Sequence, residues 1–310
     1  MRIEIIATES LGVRGLCCEI EIKKRKILID PGIALGYKRY GLLPHPFQVA
    51  VGAVIRKRII SALKNVTDVI ISHYHGDHIP LVDANPYQLK AEKATNMPKN
   101  IRIWAKGLAE LSPNMRTRAY SLSVLLNKNL LNAEGKSEGP IAFSAAMPHG
   151  KANNRFGKVM MTKITDGGQV FVHASDIQLL NREAVLQILD WHPDIVLASG
   201  PPLYLPRLSG EKKRIAWENA LSLSRAVNTL ILDHHIIRSE DGIVWLKNLS
   251  FETSKSVVCA ADFMKKPRLL LEAWREQLYK DMPVDKNWHR DYAEGKADFG
   301  AYREWRGYKV

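Results

Sequence analysis

The chain has 310 residues, of which 46% are hydrophobic, and its formal net charge at pH 7 is +13. This length and composition are ordinary for a globular protein with a substantial core. No apolar run approaches a membrane span, and the first residues lack the apolar stretch of a signal peptide, so we expect a cytoplasmic protein without a membrane partner. The three cysteines, Cys17, Cys18 and Cys259, make a poor disulfide framework, which favours a reducing compartment.

Hydrophobic patterning predicts strands and helices that alternate along the chain. In chain order we expect strands at 2–6, 17–22 and 26–29, a helix at 47–63, strands at 69–71 and 101–105, a helix at 116–132, strands at 159–164 and 169–173, a helix at 181–190, a strand at 194–198, a helix at 211–227, strands at 229–233 and 244–245, and a helix at 267–280. The Asp166-Gly167-Gly168 turn predicts a hairpin between the strands that flank it. No internal repeat interrupts this pattern.

The most informative motif is His73-Tyr74-His75-Gly76-Asp77-His78, which follows the apolar run Val69-Ile70-Ile71. Alternate side chains of an extended segment share a face, so His73 and His75 can bind one metal ion together. Asp77 and His78 follow Gly76, where the backbone can turn, and they can face a second ion. The motif therefore predicts a metal site at the end of a strand.

The spacing H-x-H-x-D-H resembles the signature of the metallo-β-lactamase superfamily. The other elements of that superfamily follow in order: Asp30 ends an early strand, His149 follows a strand, Asp176 follows Val170-Phe171-Val172, and His234 or His235 ends a later strand. The resemblance implies an α/β fold, namely the four-layer αββα sandwich of that superfamily. It also implies one domain over residues 1–310, with a helical insertion near 37–65 and a helical and aromatic extension near 260–310.

The resemblance also implies two divalent metal ions. His73, His75 and His149 would bind one ion, Asp77, His78 and His234 the other, and Asp176 would bridge them. Asp30 would support the histidine motif. His234-His235-Ile236-Ile237-Arg238 resembles the His-x-x-x-Arg ending of the phosphodiesterase branch, which favours His234 as the ligand and His235 as its neighbour, with His235 as the alternative ligand.

These ligands suit Zn²⁺, and Mn²⁺ or Fe²⁺ also tolerate mixed nitrogen and oxygen ligands. A water that bridges two such ions loses its proton near neutral pH and becomes the nucleophile of a hydrolase. Asp77 would be the catalytic carboxylate that orients this hydroxide or accepts its proton.

The motif from Ser72 to Pro80, together with Ala84-Asn85-Pro86-Tyr87, most resembles an uncharacterised archaeal family of this fold. The segments between His149, Asp176 and His234 are too short for the domain or arm that the nucleases of the superfamily insert there. This resemblance implies a fold and a metal site but no substrate.

The net charge of +13 favours an anionic substrate or partner. Lys38 and Arg39 follow Asp30 and lie beside Tyr37 and Tyr40, a combination suited to an anionic group on a flat ring. Candidate substrate-binding residues are therefore Lys38, Arg39, Arg155 and Arg238.

Three functions remain open from the sequence. The first is a dinuclear hydrolase of a small anionic ester, such as a phosphoester or phosphodiester. The second is a nuclease whose basic surface binds a nucleic-acid backbone, and the third is a binding protein that uses metal only for stability. The complete set of ligands weighs against the third function, and salt dependence separates the first two.

Overall fold

Two β-sheets form the centre of the fold. The computed structural model describes residues 1–151 and 157–310. Within that part of the chain, the first sheet contains, in spatial order, β1 (Arg2–Ala7), β2 (Cys17–Ile22), β3 (Arg25–Ile29), β4 (Asp68–Ile71), β5 (Arg102–Ala105) and β6 (Leu131–Asn132). Neighbours from β1 to β3 are antiparallel, and neighbours from β3 to β6 are parallel.

The second sheet repeats this arrangement with the second half of the chain. Its strands are β7 (Ser137–Glu138), β8 (Ile141–Pro148), β9 (Lys158–Asp166), β10 (Gln169–His173), β11 (Ile195–Ala198), β12 (Thr229–Leu232) and β13 (Ser256–Val258). Neighbours from β7 to β10 are antiparallel and those from β10 to β13 are parallel. The predicted β9–β10 hairpin is confirmed, and Gly167 and Gly168 both take positive φ in its two-residue turn.

Helices connect the strands. They are α1 (Pro46–Leu63), α2 (Pro113–Leu126), α3 (Arg182–Asp190), α4 (Gly210–Ala226), α5 (Asp241–Thr253), α6 (Ala260–Phe263), α7 (Arg275–Asp281) and α8 (Trp288–Ala293), with short 3₁₀ turns at Ala91–Ala94, Ile236–Arg238 and Gly300–Tyr302. A small hairpin of β14 (Glu304–Trp305) and β15 (Tyr308–Lys309) follows. No helix in the described ranges is long and apolar enough to cross a membrane.

The layers are those of the predicted αββα sandwich. Leu63 of α1, Leu122 of α2 and Val69 of β4 line one small apolar cavity, so these two helices lie on the first sheet. Helices α4 and α5 contact β12 and β13 of the second sheet. One hydrophobic cluster runs through both sheets and their helices, which confirms the fold class.

Three local predictions are wrong. The predicted helix at 116–132 ends at Leu126, because Asn127 takes a left-handed φ of 46° and the chain then forms β6. Val244 and Trp245 lie in α5, not in a strand, because the buried residues Leu246 and Leu249 follow helical spacing.

The predicted helix at 267–280 is reduced to α7 for a tertiary reason. Leu269 N–H donates to the Ser10 carbonyl at 2.8 Å, and Leu269 forms a parallel bridge with Leu11. Leu270 and Leu271 are buried in the core. Pairing with the N-terminal segment therefore replaces the helical hydrogen bonds that residues 267–274 would otherwise form.

The strand ends position the candidate site. Asp30 follows β3 and His73–His78 follow β4, whereas His149 follows β8, Asp176 follows β10 and His234 follows β12. The carboxyl ends of parallel neighbours meet at one edge of a sheet. The two sheets consequently bring the predicted ligands together from both halves of the chain.

Candidate metal centre

The histidine motif forms a tight turn after β4. The backbone N–H groups of His78 and Ile79 donate to the His75 carbonyl at 3.0 and 3.3 Å. Gly76 lies inside this turn with ordinary φ, and a Cβ there would lie 2.8 Å from Leu81 Cδ1. Glycine at this position thus avoids a close contact with Leu81 and is not required for an unusual backbone conformation.

Four of the predicted ligands form a first group: His73, His75, His149 and Asp176. One ligand atom from each lies within 4.8 Å of all the others. His149 Nε2 is 2.7 Å and His73 Nε2 is 3.5 Å from Asp176 Oδ2, and His73 Nε2 is 2.9 Å from His75 Nδ1. This spacing and these residue types suit a single divalent ion.

Asp77, His78 and His234 form a second group by the same 4.8 Å measure. His234 Nε2 is 3.4 Å from Asp77 Oδ2. His78 and His234 are fully buried, whereas the Asp77 side chain is 18% exposed. Asp77 is thus the carboxylate of this group that solvent reaches.

Asp176 lies between the two groups. Its Oδ2 faces His149 and His73 of the first group. Its Oδ1 lies 3.2 Å from His78 Nε2 and 3.5 Å from His234 Nε2 of the second. Each group therefore receives a different oxygen of the same carboxylate, which is the arrangement a bridging ligand requires.

Two buried atoms test whether this centre fits metal ions. Among the described residues, His78 Nε2 and Asp176 Oδ1 are buried polar atoms without a hydrogen-bond partner. Buried polar atoms are otherwise almost always satisfied, because leaving one unpaired costs about 1–3 kcal/mol. A cation bound between them would satisfy both, so the residues fit a metal.

The protonation states of His73, His149 and His234 agree with this fit. Burial lowers the pKa of His73 to about 3 and lowers the pKa values of His149 and His234. These imidazoles are neutral at pH 7, the form that binds a metal ion. Burial alone would also lower the pKa of His78, but the carboxylates of Asp176 and Asp30 raise it well above its usual value. Positive charge is therefore favoured where His78 lies.

Asp30 forms hydrogen bonds that fix the histidine motif. Its Oδ1 accepts from Ser72 N–H at 2.8 Å, and its Oδ2 contacts Ser72 Oγ at 2.6 Å, His78 Nδ1 at 2.9 Å and Ser175 Oγ at 3.0 Å. Burial would raise the pKa of Asp30, but the hydrogen bond from His78 holds it at about 2. The Asp30 carboxylate thereby fixes the His78 ring and links residues that follow β4 and β10.

His234 and His235 both lie close to Asp176. His234 also lies within reach of Asp77 and His78, whereas His235 Nε2 is 4.0 Å from Asp176 Oδ2 and its Nδ1 is 3.1 Å from Ser199 Oγ. His234 takes a φ of 88°, and its N–H donates to Asp233 Oδ1 at 2.6 Å. This strained backbone aims His234, rather than His235, at the second group.

Arg238 is the predicted substrate-binding residue that lies deepest in the centre. Its Nε donates to Glu9 Oε1 at 2.7 Å and its Nη1 to the Tyr204 hydroxyl at 3.2 Å, and its Nη2 lies 2.9 Å from His234 Nε2. Nη2 is also 3.9 Å from Asp77 Oδ2.

Of the other predicted substrate-binding residues, Arg39 lies next to this network and Lys38 is exposed. Arg39 Nη2 donates to the Arg238 carbonyl at 3.0 Å, and its guanidinium lies 4.7 Å from the Tyr204 ring centre. Lys38 lies on the surface one residue earlier. Arg155 lies outside the described residues.

Comparisons with known proteins agree with this geometry. Residues 12–83 match the family model described as the metallo-beta-lactamase superfamily. A UPF0282 protein of Methanosarcina mazei is 47% identical over 302 residues, covering 97% of this chain and 99% of that protein. A UPF0282 protein of Pyrococcus abyssi is 35% identical over 290 residues, covering 90% and 93%.

The chain belongs to the UPF0282 family. The resemblance to the metallo-β-lactamase superfamily and to an archaeal family within it is thereby confirmed. Among solved structures, isothiocyanate hydrolase from Delia radicum gut bacteria is similar with a TM-score of 0.50 and 18% identity, covering 79% of this chain and 93% of that one. That likeness supports the fold alone.

Members of the metallo-β-lactamase superfamily are mostly metal-dependent hydrolases and typically bind divalent ions. The His/Asp groups of this UPF0282 protein provide the corresponding candidate site. Residues 12–83 and the fold of the chain accordingly match the metallo-β-lactamase superfamily.

Several residues that contact the predicted ligands were not predicted from the sequence. Gln178 Nε2 lies 3.1 Å from His149 Nδ1 and 3.4 Å from His235 Nδ1, and Asp233 fixes the backbone of His234. Both lie within two residues of a predicted ligand, so inspecting the flanks of each ligand would have found them. Glu9 and Tyr204 reach Arg238 from distant parts of the chain, and only the folded structure reveals them.

Proposed function

We propose that this UPF0282 protein hydrolyses an anionic phosphodiester with two divalent metal ions, for which Zn²⁺ is the first choice. The single observation that carries the proposal is the position of Asp176, whose two carboxylate oxygens face two separate ligand groups. His73, His75 and His149 would hold one ion, and Asp77, His78 and His234 the other. Two bound divalent ions supply Lewis acidity and lower the pKa of water towards neutrality.

The protein supplies the proton acceptor and the orientation. Asp77 is partly exposed and lies beside His234, so its carboxylate can accept a proton from an attacking water molecule. Asp30 keeps the His78 ring fixed through its 2.9 Å contact with Nδ1. The reacting groups are thus held before substrate arrives.

Arg238 provides the preference for an anion. His234 Nε2 has one lone pair, so it cannot accept the Arg238 hydrogen bond and bind a metal ion at the same time. Metal binding would therefore release Nη2 of a guanidinium that Glu9 and Tyr204 still hold in place. A free N–H at this position would donate to a phosphate oxygen of the substrate.

Metal analysis followed by a substrate comparison tests the proposal. Protein reconstituted with Zn²⁺ or Mn²⁺ should contain close to two ions per chain and hydrolyse bis(p-nitrophenyl) phosphate faster than a neutral p-nitrophenyl ester or a lactone. Protein that remains metal-free after reconstitution would overturn the metal assignment. A clear preference for the neutral substrates would overturn the anionic substrate and leave the metal assignment in place.

The pair His234 and His235 offers a matched comparison. We expect His234→Ala to remove metal from the second group and abolish activity, because His234 lies beside Asp77 and Asp176. His235→Ala should leave most of the metal bound, because His235 contacts Ser199 and Gln178 instead. Metal content by mass spectrometry decides between them, and the reverse result would move the ligand to His235.

Lys38 and Arg39, which follow Asp30 along the chain, test the role of substrate charge. Lys38→Ala and Arg39→Ala should raise the Michaelis constant by about three- to tenfold for an anionic substrate and change turnover less, because neither side chain belongs to the ligand groups. Steady-state kinetics on the phosphodiester, with the neutral ester as control, provide the measurement. Equal effects on both substrates would contradict a role in charge recognition.

A nucleic acid is the second candidate substrate, and the net charge of +13 favours it. Hydrolysis of a nucleic acid should fall steeply as salt rises, whereas hydrolysis of a small phosphodiester should change little. Parallel salt titrations with the two substrates therefore separate these functions.

A further inference from the structure

A second cavity, of about 530 Å³, opens where α1, the segment from Ala84 to Lys93 and the region around α8 meet. None of the candidate metal ligands lines it. The cavity nevertheless lies next to the histidine motif. Gln88 lines the cavity, and its Nε2 lies 3.0 Å from the position that a Cβ on Gly76 would occupy. The cavity and the histidine motif therefore share one supporting segment.

The cavity is positively charged. Four cationic residues line it: Arg56, Lys57, Lys90 and Lys93. Its lining includes no aspartate or glutamate, and within the described ranges none of the four forms an ion pair. Arg58, the residue after Lys57 in α1, does pair with Glu4.

Arg56 adds a second, independent observation. It is only partly exposed, and its Nη1 is a buried atom without a hydrogen-bond partner among the described residues. Although the Arg56 side chain also hydrogen-bonds Tyr292, burial of a guanidinium without a carboxylate partner is unfavourable, and a bound anion would offset that cost. The three lysines around Arg56 are exposed and can adjust to a ligand with several negative oxygens.

We propose that this cavity is a binding site for phosphate groups, separate from the metal centre. Four cations in a cavity whose lining contains no aspartate or glutamate match the charge of adjacent phosphates better than that of a single carboxylate. Asn85 and Gln88 provide amide side chains on the same wall, and Tyr292 provides a ring at its edge. The phosphates would come either from a free phosphate compound or from a nucleic-acid backbone.

The test uses two variants with equal loss of charge. The cavity variant carries Lys57→Gln, Lys90→Gln and Lys93→Gln. The control variant carries Lys24→Gln, Lys136→Gln and Lys247→Gln, three exposed lysines outside the cavity. All six side chains are exposed, so both variants should fold, and thermal unfolding checks this.

Two probes distinguish the sources of phosphate. Inorganic pyrophosphate is titrated by calorimetry into the metal-loaded protein, and a labelled single-stranded oligonucleotide of about 12 nucleotides is followed by fluorescence anisotropy at several salt concentrations. Because pyrophosphate can also bind at the metal centre, only the binding lost in the cavity variant, and retained in the control, is assigned to the cavity.

The cavity variant should weaken binding of at least one probe by about tenfold or more at low salt, and the control variant by less than about twofold. If the source is a nucleic acid, the slope of log affinity against log salt should also become shallower by about 2 for three lost contacts. Loss of pyrophosphate binding alone assigns the site to free phosphate compounds.

Unchanged binding of both probes in the cavity variant, or equal losses in the two variants, would overturn the proposal. So would a wild-type protein that binds neither probe. The test measures binding of the two probes, so its result does not depend on whether the protein hydrolyses a phosphodiester. Hydrolysis of a small phosphodiester should be the same in all three proteins.

Discussion

Replacing Asp176 with Asn is expected to bring the metal content well below two ions per chain and to lower kcat/KM for a phosphodiester at least about 10³-fold. The reason is that both groups depend on this carboxylate, with Oδ2 facing His149 and Oδ1 facing His78. An amide keeps the volume but provides only one oxygen and no charge. Metal analysis and steady-state kinetics on the same preparation measure both effects.

Asp190→Asn is the matched control, because it makes the same chemical change at an exposed position at the end of α3. It should retain the wild-type metal content and activity. An Asp176→Asn protein with two ions and unreduced activity would remove the bridging role and, with it, the observation on which the proposed function depends.

Replacing Asp30 with Ala is expected to lower the free energy of unfolding by about 3–5 kcal/mol. The change leaves buried donors on Ser72, Ser175 and His78 without their shared acceptor. Urea unfolding in the presence of a chelator measures this effect without a contribution from lost metal.

Asp30→Asn separates the lost hydrogen bonds from the lost volume. Its remaining oxygen can still accept from Ser72 N–H, but its amide N–H groups would face the other donors. We expect it to be destabilised less than Asp30→Ala and to bind less metal than wild type, because His78 loses its orientation. An Asp30→Ala protein as stable as wild type would show that the buried network has little effect on folding.

The resemblance of the sequence to a known superfamily was enough to predict which of the ligand residues lie together, because they follow strand ends. His73, Asp176 and His234 each come directly after a buried apolar run, and the edges of the two sheets bring such positions together. The order of these residues along the chain carries that resemblance. Their individual roles in catalysis stay predictions.

The remaining features depend on contacts between distant segments. Arg238 donates a hydrogen bond to Glu9, and Leu269 N–H donates one to the Ser10 carbonyl. No local sequence pattern predicts either contact. Val244 and Trp245 favour a strand by residue type, but packing of Leu246 and Leu249 in the core places them in a helix. Tertiary packing thus decided the outcome at Val244 and Trp245 and in the segment around Leu269.

The division of the predicted ligands between the two sheets would couple metal binding to folding. The first group takes His73 and His75 from the half that forms the first sheet, and His149 and Asp176 from the half that forms the second. The second group is divided in the same way, with His234 opposite Asp77 and His78. An ion that binds only when both halves are assembled favours the native state by mass action, so resistance to heat should rise with the free concentration of metal in the cell.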